Sequence, residues 1–209
     1  MLDNHGFDIW ADGYDEDVHT ADSNNRYPFA GYKMIMGTIF EMIMKKSPVK
    51  ILDIGIGTGT LSSQLYARGN DITGVDFSQK MLRLAREKMP NAILIPFDIG
   101  KGLPPEIVEQ KFDFIISTYA LHHLTDNEKV GIIRSLLGHI NDAGSIVIGD
   151  VSFLSREDLE NCKITCGEDD WDDDEYYFVY SELKEALGGD CKTKYHQISH
   201  CSGILEITP

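Results

Sequence analysis

Ile51-Leu52-Asp53-Ile54-Gly55-Ile56-Gly57-Thr58-Gly59 is an apolar run broken by one acid and closing on three glycines at alternate positions. A short apolar segment, then glycines, then a helical pattern from Thr60 reads as a buried strand, a tight turn and a helix. Glycine in the turn lets the main chain take positive φ and lets a ligand come up against bare peptide. The helix beyond directs its unpaired N–H groups and positive dipole end at whatever rests there. The stretch therefore marks a mononucleotide- or dinucleotide-type cofactor site.

Working outward, the pattern repeats. A strand over 71–76 ends on Asp76, and Ser78 caps a helix that Pro90 closes. A strand over 92–97 follows, then a loop holding Gly100, Gly102, Pro104 and Pro105, then a strand over 112–118. Asp126 is read as the cap of a helix over 127–140, and Gly144 precedes a strand over 145–151. Strands alternating with helices at this spacing imply a mostly parallel sheet with right-handed crossovers. After a helix begun at Ser181 and stopped by Gly188, runs over 192–199 and 202–208 are too close to be anything but antiparallel. The expected architecture is α/β: a three-layer, Rossmann-like, doubly wound, mostly parallel seven-stranded sheet ending in an antiparallel C-terminal hairpin. One domain over 1–209 is expected, with covering helices in 1–47, a cofactor-binding core in 48–152 and a substrate-side and hairpin region in 153–209. In the covering region Phe7, Trp10 and Tyr14 fall on one helical face, and a longer amphipathic pattern runs from Phe29 to Lys45 and Lys46.

The net charge of −15 argues against nucleic acid, whose phosphates require clustered Lys and Arg, and against anionic membranes. A small-molecule substrate fits that surface. No leader or spanning segment is read, and four cysteines suit reduced thiols, so a cytoplasmic location is expected. Cys162, Cys166, Cys191 and Cys201 lack paired Cys-x2-Cys knuckles, so no metal site is assigned. The acidic segment 168–175 reads as a solvated excursion, with a flap for a cationic substrate as the alternative.

Asp76 lies 21 residues past Gly55, which sets a carboxylate at the sheet's carboxyl edge where it can accept both hydroxyls of a ribose. The nicotinamide fingerprint wants G-x-G-x-x-G around a pyrophosphate, whereas this turn is G-x-G-x-G with Asp53 just before it. A carboxylate there repels pyrophosphate and attracts an amine or sulfonium, so S-adenosylmethionine fits better.

At these residues the chain resembles the class I S-adenosylmethionine-dependent methyltransferases, and within them is similar to the YrrT-like small bacterial group. The resemblance rests on residues 7–15, 52–59, Gly74-Val75-Asp76-Phe77-Ser78, Phe97-Asp98 and residues 119–126, and it covers 7 to about 155. It implies that Asp53, Gly55 and Gly57 hold the methionine end of the cofactor and that Asp76 takes the ribose, with Phe77 beside the adenine. It also implies that Asp98 accepts from the adenine amino group with Ile99 against the ring, and that Thr118 and Tyr119 lie under the sulfonium. Trp10 and Tyr14 would form a lid. Asp98 has a second reading, as a simple loop cap, and Trp10 and Tyr14 as packing residues.

Catalytic residues are not fixed by the sequence; His122, His123 and Tyr119 are the candidates, with Asp150 a further one at the pocket edge. Asp113, at the start of its strand, is read as structural. Two other readings stay open: a non-catalytic protein that binds S-adenosylmethionine or S-adenosylhomocysteine, and a nicotinamide-dependent oxidoreductase.

Overall fold

Tyr32, Ile35, Ile39 and Ile43 are the buried residues of helix α1 (Tyr32–Met44), and their three- and four-residue spacing makes one apolar face. That face covers a twisted sheet in a computed structural model that describes residues 26–167 and 171–209. The expected helix around Phe7 and the lid residues Trp10 and Tyr14 lie outside the described residues.

The strands are β1 (Lys50–Ile54), β2 (Asp71–Asp76), β3 (Ile93–Pro96), β4 (Phe112–Thr118), β5 (Ile140–Phe153), β6 (Phe178–Val179), β7 (Lys192–Gln197) and β8 (Ser202–Thr208). Seven of them run in the order β3-β2-β1-β4-β5-β8-β7, and β6 pairs with β5 off this path. Neighbours from β3 to β5 are parallel, while β8 is antiparallel to both β5 and β7. The expected mostly parallel sheet with its antiparallel hairpin is therefore present, extended by one two-residue strand.

The sheet separates two apolar layers because side chains alternate along each strand. Ile51, Phe114, Ile116 and Val147 join α1, α2 (Thr60–Tyr66) and α3 (Gln79–Lys88) on one face. Leu52, Ile115, Ile146 and Ile148 join α4 (Asp126–Leu137) and α6 (Tyr180–Leu187) on the other. Asp53 sits between Leu52 and Ile54, so it faces the first layer while both neighbours face the second. Asp113 is structural as expected: its two oxygens accept from Lys50 N–H at 2.9 Å and Asn141 at 2.8 Å, tying β1 and β5 to β4.

Three expectations need correction. The cap of α4 is Thr125, not Asp126; Thr125 and Glu128 form a reciprocal capping box, which frees Asp126 to pair with Lys129. Strand β5 runs well beyond 145–151, because both ends find partners in β4 and β6. Between β5 and β6 stands a helix the reading did not place, α5 (Arg156–Cys166), started by a second capping box of Ser155 and Asp158. Its signal is that same Ser-x-x-Asp spacing.

The glycine turn is sterically required. Gly55 has φ +70°, and a Cβ there would stand 2.3 Å from the Cβ of Ala120, across the sheet edge at the end of β4. Gly55→Ala combines left-handed strain with overpacking of a backbone that cannot retreat, at roughly 2–4 kcal/mol. Thermal denaturation of Gly55→Ala is expected to show a melting temperature roughly 10 °C below the parent.

Candidate functional site

Strands β1, β2 and β4 end side by side, so their last residues and the loops after them enclose one cavity of about 380 Å³. Its wall brings together Asp53, Gly55, Gly57, Asp76, Phe77, Asp98, Ile99, Thr118, Tyr119 and His123. His122 is not among the lining residues. Tyr32 and Met36 from α1, with Met81 from α3, complete the apolar wall.

Asp53 is 2% exposed. One carboxylate oxygen accepts from the Ser62 hydroxyl at 2.6 Å, and the other, Oδ1, has no hydrogen-bond partner among the described residues. Burial pushes the carboxyl up to about 7; the Ser62 hydrogen bond opposes this and the charge of Asp76 adds to it. Asp76 accepts from Gly57 N–H and from Ser78 N–H, both at 2.8 Å, so the second strand's acid clamps the glycine turn and the start of α3 at once. The Gly55 N–H is engaged with the Val75 carbonyl at 2.8 Å. Asp98 caps the 3-10 turn Ile99–Lys101 through Gly100 N–H at 3.0 Å and pairs with Lys101, while also lining the cavity.

Tyr119 has φ +50°, a left-handed conformation rare for a bulky residue. Its N–H donates to Gly149 at 2.9 Å, and its ring packs on Tyr32 and Phe29 with centroids 5.1 and 5.5 Å away. Packing thus holds a strained residue where β4 meets the cavity.

Beside this wall lies a second constellation. His122 Nδ1 is 2.6 Å from Asp150 Oδ1, whose carboxylate is fully buried with its other oxygen unpartnered among the described residues. His122 Nε2 and His123 Nδ1 both face Glu175, at 3.4 and 3.5 Å. Burial works against a charged His122, but Asp150 beside it outweighs that and raises its pKa; burial together with His122 pushes His123 down to about 3. Glu175 is raised, chiefly by its own burial.

Glu175 corrects the reading of segment 168–175 as a solvated excursion. Asp172, Asp173 and Asp174 are exposed, but Trp171 and Glu175 turn inward. Trp171 stacks on Tyr27 at 5.0 Å and meets Tyr177 edge-on at 5.1 Å, and the Tyr27 and Tyr177 hydroxyls are hydrogen-bonded. Tryptophan inside an acidic run was the available signal, since a solvated loop has no use for so large an apolar surface. Ser62, one helical turn past the glycines, was also missed.

A parallel sheet with a glycine turn after β1 and an acid ending β2 defines a protein that binds a nucleotide-type cofactor at the carboxyl edge of its strands. Residues 51–144 match a family described as a methyltransferase domain. An uncharacterized methyltransferase of Anoxybacillus flavithermus is 36% identical over 154 residues, covering 74% of this chain and 69% of that one. The chain belongs to this methyltransferase family. The fold is shared with a DhpI–SAM–HEP complex, at a TM-score of 0.67, 15% identity and coverage of 97% and 94% of the two chains. It is shared too with magnesium protoporphyrin IX methyltransferase (ChlM) of Synechocystis PCC 6803 with bound SAH, at a TM-score of 0.66, 19% identity and coverage of 87% and 85%. Among the described residues no helix is long and apolar enough to cross a membrane.

Proposed function

We propose that this enzyme transfers a methyl group from S-adenosylmethionine to a small-molecule acceptor. The observation that carries the reading is the orphaned Asp53 oxygen, buried in the wall of a cavity that also holds Asp76. A buried carboxylate oxygen without a donor needs a cationic or N–H partner from a ligand. The ammonium of a methionine moiety supplies one, whereas a dinucleotide would bring anionic pyrophosphate. Gly57 fits the same group: φ is +55° and no atom of the described residues stands within 4 Å of where its Cβ would be. The solved neighbours named with SAM or SAH support the choice.

When bound, S-adenosylmethionine supplies an activated methyl group on a sulfonium. The chain's part is to bind, orient and exclude water. In this reading Asp53 receives the amine, Asp76 the ribose hydroxyls and Asp98 the adenine amino group, with Phe77 and Ile99 flanking the ring. Gly57 acts by leaving space, its N–H held by Asp76, while Gly55 acts by allowing the turn against Ala120, its N–H held by Val75. Thr118 and Tyr119 border the reacting end. A thiol or acidic hydroxyl acceptor needs no dedicated base.

Titration calorimetry with S-adenosylhomocysteine and with NADH tests the cofactor, and transfer of labelled methyl to a thiol, amine and phenol panel tests the reaction. Micromolar affinity for S-adenosylhomocysteine, none for NADH, and acceptor-dependent transfer are expected. Tight binding with no transfer to any acceptor would favour a binding protein, and NADH affinity an oxidoreductase.

A further inference from the structure

We propose that His122 Nε2, His123 Nδ1 and Glu175 form a binding site for one divalent transition-metal ion, at the rim of the cofactor cavity. The ligand-bearing atoms of these three residues all lie within 4.8 Å of one another. His122 Nε2 stands 3.4 Å from Glu175 Oε2 and His123 Nδ1 3.5 Å from the other oxygen, Oε1, so each imidazole faces one oxygen of the carboxylate at about the 3.4 Å that neighbouring donors with bonds of about 2.1 Å to one ion show. Two imidazoles and one carboxylate are the donor set of catalytic zinc and of open iron sites, which keep positions for an outside ligand.

Three features separate this trio from a chance ion pair. The first is the buried Asp150 carboxylate on His122 Nδ1 at 2.6 Å. A carboxylate there holds the proton on Nδ1 and aims the Nε2 lone pair away from itself, the outer partner that metal-binding histidines use. The second is that the segment carrying Glu175 is pinned at the next residue. Tyr176 N–H donates to the His122 carbonyl at 2.8 Å, and its own carbonyl accepts from Lys129 Nζ. The glutamate is thus brought to the histidines from 52 residues away by main-chain bonds that do not involve its carboxylate. The third is charge: Asp150 and Glu175 converge on the pair, and Lys129, whose ammonium acts on His122, is engaged with Asp126 at 3.0 Å and the Tyr176 carbonyl.

His123 belongs both to the trio and to the cavity wall, so an ion here would border the space beyond the cofactor. There it is suited to hold an oxygen of the acceptor. That role rests on the methyltransferase reading; the metal site itself does not.

The chain, freed of metal by chelation, is titrated with Zn²⁺ alone by calorimetry and with Co²⁺ alone by visible absorption. One ion per chain at micromolar affinity or tighter is expected, with a Co²⁺ spectrum of nitrogen and oxygen ligation. Glu175→Gln and His123→Asn should each weaken binding at least about 30-fold, and Asp150→Asn about tenfold at unchanged stoichiometry. A Cys162→Ser/Cys166→Ser double variant should bind as the parent does. A thiolate charge-transfer band with Co²⁺, or affinity that survives Glu175→Gln and fails in the cysteine variant, overturns the site, as does no binding at all. Should a ligand variant fail to fold, the parent's Co²⁺ spectrum decides. None of these readings needs cofactor, so weak S-adenosylhomocysteine binding with intact metal binding would count against the proposed function alone.

Discussion

Asp76→Ala is expected to weaken binding of S-adenosylhomocysteine by at least about a hundredfold while the chain stays folded. The carboxylate is 8% exposed and cannot swing, because Gly57 N–H and Ser78 N–H each hold one of its oxygens at 2.8 Å. A fixed carboxylate receiving two hydroxyls makes charge-assisted hydrogen bonds of about 1.5–3 kcal/mol each. Losing the pair corresponds to roughly 10²–10⁴ in affinity. The same substitution leaves two main-chain N–H groups without their acceptor at a sheet edge, which costs about 1–3 kcal/mol of stability. Calorimetric titration alongside a thermal melt separates the two losses. Asp76→Asn is a poor control, because its amide would point an N–H at one of those donors. A folded Asp76→Ala chain binding within threefold of the parent would remove Asp76 from the site.

The core of this architecture could be read because its signals are local. The apolar run of β1, the three glycines and the acid at the end of β2 all fall within 27 residues, and the required conformations are ones only particular residue types adopt. Strand ends at the cavity followed, since parallel strands joined by right-handed crossovers put their carboxyl ends on one edge. What escaped depends on contacts between distant positions. Nothing near Glu175 in sequence says that it meets His122, because the link runs through Tyr176 and the buried Lys129. The average charge of segment 168–175 speaks for solvent, whereas one tryptophan decides how its described part, 171–175, packs. The cap of α4 went to Asp126 because acids suit a first turn equally well; only the reciprocal geometry of Thr125 and Glu128 distinguishes the cap from its neighbour. The resemblance implicates Tyr119 at the end of β4, but its left-handed backbone has no sequence signal in a non-glycine residue.

Asp53 should make both stability and cofactor affinity depend on pH, in opposite directions. Its carboxyl titrates near 7 in the folded chain against an ordinary 3.8. Between those values the folded chain holds a proton that the unfolded chain has lost, so stability falls as pH rises from about 4 to 7 and is flat above. A rise of that size corresponds to stability on the order of 4 kcal/mol. Asn in place of Asp53 can still accept from Ser62 and carries no charge to bury. Asp53→Asn is therefore expected to melt with the parent near pH 4 and roughly 10 °C above it at pH 8. Binding runs the other way. A cationic amine prefers the ionised carboxylate, so the parent's affinity for S-adenosylhomocysteine should climb by up to about tenfold per unit from pH 5 towards 7, then level off. Near pH 6 a proton is released on binding, and calorimetry in two buffers of different ionisation enthalpy reads it directly. The Asn variant should show neither slope nor proton release, and at pH 8 should bind about a hundredfold more weakly, the loss expected when one partner of a buried charge pair is removed. Stabilisation and loss of affinity in one substitution cannot both come from misfolding. A parent whose affinity is constant from pH 5 to 8, or an Asn variant that binds as tightly as the parent at pH 8, would mean that the orphaned oxygen faces something other than the ligand's cation.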